Sequence, residues 1–117
     1  MSLDPGQLAF LQLICPEARQ AEEAGQAMVI LPDLKVPLGA EVRTMKGLLH
    51  PGPHSGYTTR LFLSESLQAE RPVIGTSPAN WTTHVLLDHT WHTWSWNQVP
   101  ASLPLAQMLN AHLEALR

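Results

Sequence analysis

Ten prolines are spread over these 117 residues, and they decide where helix can run. Proline lacks a backbone N–H and clashes with the preceding turn, so it opens a helix or breaks one. Asp4-Pro5 reads as an N-cap followed by a first-turn proline, with Leu8, Leu11 and Cys15 at helical spacing behind it. Pro16 ends that helix. The Ala- and Glu-rich segment from Glu17 to Ala24 predicts one or two further helical turns, stopped at Gly25. A full amphipathic stripe lies beyond Pro104: Leu105, Met108, Leu109, His112, Leu113 and Leu116 recur at spacings of three and four, with Ser102 as the expected cap.

Between these ends the chain reads as short extended pieces. Ala27 to Leu31 is an apolar run bounded by Gly25 and Pro32, a buried strand. Pro32-Asp33 and Pro37-Leu38-Gly39 punctuate the stretch after it. Glu41 to Leu49 predicts a second strand, in which Val42 and Met45, three apart, require a bulge. His50-Pro51-Gly52-Pro53-His54-Ser55-Gly56 is a loop, and Tyr57 to Leu63 has the residue types of a strand. Ser64 to Asn80 is polar and interrupted by Pro72, Gly75 and Pro78, hence irregular. Trp81 to Leu87 suits a strand with Trp81, Thr83, Val85 and Leu87 on one face. In an extended Trp91-His92-Thr93-Trp94-Ser95-Trp96 segment, His92, Trp94 and Trp96 lie on one side and Trp91 on the other. The expected fold is α+β: an N-terminal helix, an antiparallel meander of three or four strands, a Trp/His-rich irregular segment and a C-terminal amphipathic helix, in one domain over 1–117.

Composition narrows the function classes. With 44% hydrophobic and 15% charged residues the chain is not a disordered one. No run approaches the roughly 18 apolar residues of a membrane span. A net charge of −3 with scattered cations argues against nucleic acid as a partner. The opening Met-Ser-Leu-Asp-Pro-Gly-Gln-Leu lacks a basic region followed by an apolar run, so a cytoplasmic protein without a signal peptide is expected. A single cysteine, Cys15, excludes an internal disulfide framework and a four-cysteine zinc site.

The chemistry-bearing residues are the six histidines and four tryptophans. His50 and His54 flank the Pro-Gly-Pro turn, and His84, His89 and His92 lie close together in sequence. Zinc held by His50, His54, His89 and His92, in a metal-binding protein or metal-dependent hydrolase, is the alternative to a site with no cofactor. On a strand, however, His89 and His92 face opposite ways. Neither a Gly-x-Ser-x-Gly elbow around Ser55, Ser64 or Ser95 nor a phosphate-cradling glycine loop is present. Cys15, beside Pro16 in an apolar setting, reads as a small hydrophobe. The tryptophan segment is the strongest local feature. An exposed Trp patch there would be a binding surface, or a face through which a structural subunit forms a homodimer.

The order of elements resembles the ubiquitin-conjugating-enzyme (UBC) fold, an RWD-like architecture, in trimmed form. It is similar in particular to the bacterial UBC-like proteins encoded beside activating-enzyme-like and JAB-type deubiquitinase-like partners. The residues that carry the resemblance are Leu31-Pro32, the strand from Gly56 to Leu63, and Trp91-His92-Thr93-Trp94-Ser95-Trp96 ahead of the closing helix through Leu113. Conventional members place a His-Pro-Asn segment and the thioester cysteine after the fourth strand. This chain has His50-Pro51-Gly52 before the expected third strand and no cysteine after position 15. The resemblance therefore implies a cysteine-less member, an adaptor for a ubiquitin-like protein or its activating enzyme. Its expected binding residues are His50, His54, Tyr57, Trp91, His92, Trp94 and Trp96, and His92 is the one catalytic candidate.

Overall fold

Asp4 initiates the first helix as its sequence requires. In the computed structural model, which describes residues 3–54, 56–96 and 98–116, the Asp4 carboxylate accepts the Gly6 N–H at 2.8 Å and α1 runs Pro5–Leu11. The segment expected to continue as helix is instead strand β1, Arg19–Glu23. It pairs with β2, Gln26–Leu38, from Arg19 opposite Ile30 to Glu23 opposite Gln26. Ala24 and Gly25 form the two-residue turn, both at positive φ (52° and 78°), the geometry that matches strand twist in a hairpin. Pairing with the neighbouring apolar strand outweighs the helix propensity of Ala and Glu.

β2 passes straight through two prolines. Pro32 and Asp33 sit where the register with β3 (Glu41–His50) shifts between Leu31 and Leu34, so Pro32 occupies a bulge and needs no ladder N–H. The bulge is thus in the first strand of this pair and not at Val42 and Met45 as the spacing predicted. It swings the Leu34 side chain over Gly47, where a Cβ would lie 2.6 Å from Leu34 Cδ2. Gly47 is required there for that close approach.

β4, Arg60–Leu63, comes after the proline loop and is shorter than the Tyr57–Leu63 strand expected; Ser55, within that loop, lies outside the described residues. The segment read as irregular holds a small hairpin of β5 (Val73–Ile74) and β6 (Ser77–Pro78). β7 (Thr82–Leu86) and β8 (His89–Thr93) form a second hairpin, and α2 runs Leu105–Glu114. The main sheet has the order β1-β2-β3-β4-β8-β7, antiparallel throughout. The expected meander of three or four strands is therefore extended to six, because the Trp/His segment returns beside β4 and brings β7 with it. Ser102 does not cap α2: Pro104 holds that position, and the Leu105 N–H is accepted by Gln7 Oε1 of α1 at 3.2 Å. Among the described residues no helix is long and apolar enough to cross a membrane.

Alternation sorts the sheet into two faces. Val29, Leu31, Leu49, Leu61 and Leu63 join Leu11, Trp94, Leu105, Met108, Leu109 and Leu116 in the main core beneath the helices. Met28, Leu48, Phe62 and Trp91 form a second, smaller core on the other face, with Ile30, Leu86 and Leu87 packed around it.

One polar residue lies inside the helix stripe. His112 is 1% exposed. Thr59 Oγ1 donates to the Val99 carbonyl at 2.8 Å, so it accepts from His112 Nε2–H at 3.0 Å, and Nδ1 has no partner among the described residues. Burial, reinforced by the Arg60 charge, pushes the His112 pKa down to about 4. A histidine whose folded pKa is depressed supports the fold above its ordinary value and withdraws that support as pH falls. Between about pH 6.5 and pH 4 the loss is about 3 kcal/mol. Denaturant titrations at pH 7 and pH 4 should show this loss, and His112→Gln, which keeps a donor towards Thr59, should flatten much of the slope.

Candidate binding face of the sheet

The proline loop gathers imidazoles over the outer core. His50, at the end of β3, donates from Nδ1 to the Gly52 carbonyl at 2.9 Å, which fixes its ring above the turn. His54 and Tyr57 exchange backbone hydrogen bonds of 2.9 and 3.0 Å and close the loop. The His54 ring then stands edge-on to Phe62 at 5.2 Å, to His50 at 5.2 Å and to His84, on β7, at 5.3 Å. His84 itself meets Phe62 at 5.6 Å and bonds Thr82 Oγ1 through Nε2 at 2.8 Å. Three imidazoles thus pack around one phenyl ring. Sequence reasoning does not single out Phe62 or His84 as site residues, because their proximity depends on β7 and β8 joining the sheet.

Arg60 is the unusual member. It lies within an apolar strand and is 3% exposed. Its guanidinium lies 4.1 Å from the centroid of the Tyr57 ring and 5.8 Å from that of Phe62, and Nη2 donates to the Trp94 carbonyl at 3.4 Å. Nε has no hydrogen-bond partner and no carboxylate forms an ion pair with it among the described residues. Aromatic faces and one carbonyl replace a counter-ion. Its sequence signal is a cation inside an apolar strand, three residues after a tyrosine. Burial lowers the pKa of His54, with His50, His84 and Arg60 adding to the effect. Burial followed by Arg60 does the same for His84. Both rings are therefore neutral at pH 7, and they serve as packing surfaces and hydrogen-bonding groups.

The four histidines considered for zinc do not converge. His50 and His54 adjoin, but His89 sits at the far end of β8 against Trp91, at 6.5 Å. His92 is directed to the opposite sheet face, where Nδ1 bonds Thr83 Oγ1 at 3.3 Å. Among the described residues no three His, Cys, Asp or Glu side chains are placed to hold a metal ion. His92, the catalytic candidate, bonds Thr83, and the hydroxyls of Ser95 and Ser64 are engaged elsewhere. Ser95 Oγ donates to the Asn80 carbonyl, and Ser64 Oγ accepts from the Lys46 N–H.

Trp91 and Trp94 are buried and Trp81 and Trp96 half-buried, so the segment presents no continuous exposed Trp patch. Trp91 floors the outer core at 3% exposure, with Nε1 donating to Leu86 O at 2.9 Å. Trp94 is 2% exposed in the main core, 5.2 Å from the Trp81 ring and 6.2 Å from His112. Trp96 is half-buried beside Gly75. A strand running between two cores buries large residues on both sides. The expected Trp81, Thr83, Val85, Leu87 face divides, with Thr83 and Val85 exposed. Trp94→Ala should therefore destabilise the fold by about 3–5 kcal/mol, measured by chemical denaturation, because it empties the main core.

Beyond the imidazoles the outer face opens into a groove of about 500 Å³ between β1 and β8. Ile30, Leu87 and Trp91 supply its apolar wall, and Arg19, Lys46 and His89 its polar rim. One end is pinned by an unusual turn. Leu87 and Asp88 link β7 to β8 at φ 54° and 62°, a left-handed conformation that non-glycine residues seldom adopt. Two contacts hold it: the Leu87 side chain packs on the outer core, and its N–H donates to Glu23 Oε2 of β1 at 3.1 Å. The last hairpin is thereby tied to the opposite edge of the sheet.

Compared with known proteins, the chain matches no family model, no curated protein and no solved structure.

Proposed function

We propose that this chain is a UBC-like binding module of a bacterial ubiquitin-like modification pathway. It acts as an adaptor for a ubiquitin-like protein or its activating enzyme and carries no cargo on a thiol. The observation that carries the reading is the outer sheet face, whose aromatic floor is covered by loop and hairpin in place of a helix and opens into a groove. Concave apolar surface with a few polar groups at its rim is what a binding site requires. The order of elements supports the reading in part: a helix, the β1–β4 antiparallel meander and a closing helix, with the β7–β8 hairpin added to the same sheet.

The thiol supports the adaptor half of the proposal. Cys15, the one cysteine of the chain, is 9% exposed after α1. Burial raises its pKa above the ordinary thiol value, and Lys35 offsets that only in part. The small cavity beside it is bordered by Pro16, Glu17, Pro32 and Asp33. A thiol held protonated by burial is a poor thioester carrier.

The test is capture from native lysate with tagged wild type and Cys15→Ser, partners being identified by mass spectrometry. Both should recover the same activating-enzyme-like or ubiquitin-like protein to within about twofold, with no thiol-labile adduct on the bait. Loss of capture with Cys15→Ser, or a conjugate at Cys15, would overturn the adaptor role. Recovery of no such partner by either bait would overturn the pathway.

A further inference from the structure

We propose that the groove between β1 and β8 binds an acidic, leucine-bearing extended segment of the partner protein, carboxylates on Arg19 and Lys46 and an apolar side chain on Trp91. This rests on the binding-module reading above and names the chemistry of its partner.

The argument is charge complementarity on a protein of opposite sign. The chain carries a net charge of −3, yet the groove is rimmed by Arg19, Lys46 and His89 and lined by no acidic side chain among the described residues. The other described arginines have partners within the protein. Arg43 reaches Glu65 and Glu70 at 3.6 and 3.4 Å, Arg71 donates to the Leu116 and Glu70 carbonyls, and Arg60 is buried against Tyr57. Arg19 and Lys46 make no ion pair among the described residues. Two carboxylates stand near this end of the sheet, Glu23, which accepts the Leu87 N–H, and Asp88 in the turn; neither lines the groove, and neither forms an ion pair with Arg19 or Lys46 among the described residues.

Register explains how two distant cations face one space. Arg19 lies opposite Ile30 on β1 and β2, and Trp91 belongs to the same sheet face as Phe62. The cations thus rise from β1 and β3 on one side, and the Trp91 ring with Leu87 forms the other. Trp91 Nε1 is already bonded to Leu86 O, so the ring offers an apolar surface and no free donor. About 500 Å³ lies within the range that accommodates a small ligand or a few residues of extended chain. An anion at the rim and an alkyl group at the wall satisfy both halves at once.

The probe is a fluorescein-labelled hexapeptide of alternating Leu and Glu, with the Leu/Gln analogue as control. Fluorescence anisotropy should show the Glu peptide binding and weakening as salt rises from about 0.05 to about 0.5 M. Arg19→Glu/Lys46→Glu should weaken it at least about tenfold, and the Trp91 indole N–H resonance should move on binding to wild type. Both positions are exposed, so the fold should persist; Arg19→Gln/Lys46→Gln provides the milder variant if charge reversal disturbs it. Equal binding of the Glu and Gln peptides, or no effect of either double variant, would overturn the proposal. Lysate capture separates this from the parent reading. A pathway partner recovered equally by wild type and double variant would reject the groove and keep the adaptor. Salt-dependent, Arg19- and Lys46-dependent peptide binding without a pathway partner would keep the groove and reject the pathway.

Discussion

A four-residue strand buried on both faces holds the molecule together. Every residue of β4, Arg60 to Leu63, is buried. Leu61 and Leu63 point to the helices, and Arg60 and Phe62 to the outer core. Its ladder to β3 is regular, whereas that to β8 consists of a single registered pair, Leu63 with His92. Side chains supplement it: Thr93 Oγ1 donates to the Leu61 carbonyl at 2.7 Å, and Arg60 donates to that of Trp94. Each hydrogen bond contributes about 1 kcal/mol net, but an unmet carbonyl in this interior would cost more. The outer core, the imidazole cluster and the groove all depend on β8 being held there.

The interior polar groups share one logic, which is neutralisation of cost by geometry instead of by ion pairing. Thr59 relays a hydrogen bond from His112 to Val99, meeting one ring N–H of a histidine that burial keeps neutral. Arg60 cannot lose its proton, so it is accommodated by the Tyr57 face and a carbonyl. Its field adds to burial in keeping His54, His84 and His112 unprotonated. Of the four histidines weighed for zinc, only His50 and His54 adjoin; with His84 they pack around Phe62 beneath the proline loop, and Arg19 and Lys46, which make no ion pair among the described residues, lie farther along the same face.

Legibility from sequence tracked the range of the interactions. The α+β class, the Asp4 cap, the closing amphipathic helix and the opposite orientations of Trp91 and Trp94 were all readable, because each rests on local periodicity or capping. The helix expected over Glu17 to Ala24 is a strand, because Ala and Glu propensities of a few tenths of a kcal/mol yield to pairing with Gln26 to Ile30. Pro32 looked like a stop and is a bulge, since a partner strand tolerates the missing N–H. Of the site residues, His50, His54 and Tyr57 do come together, and the added members Arg60, Phe62 and His84 come from two separate strands.

Local sequence was enough to place the two helices, to mark most strands of the main sheet after Gly25, and to limit the whole chain to one thiol. Those properties are set by composition or by neighbours within a few positions. Only the packed sheet decided which face each tryptophan meets, that His89 and His92 part company, and that Arg19 and Lys46 share a groove with Trp91. The reason is physical: alternation gives two faces to every strand, but only the strand order says what covers each of them.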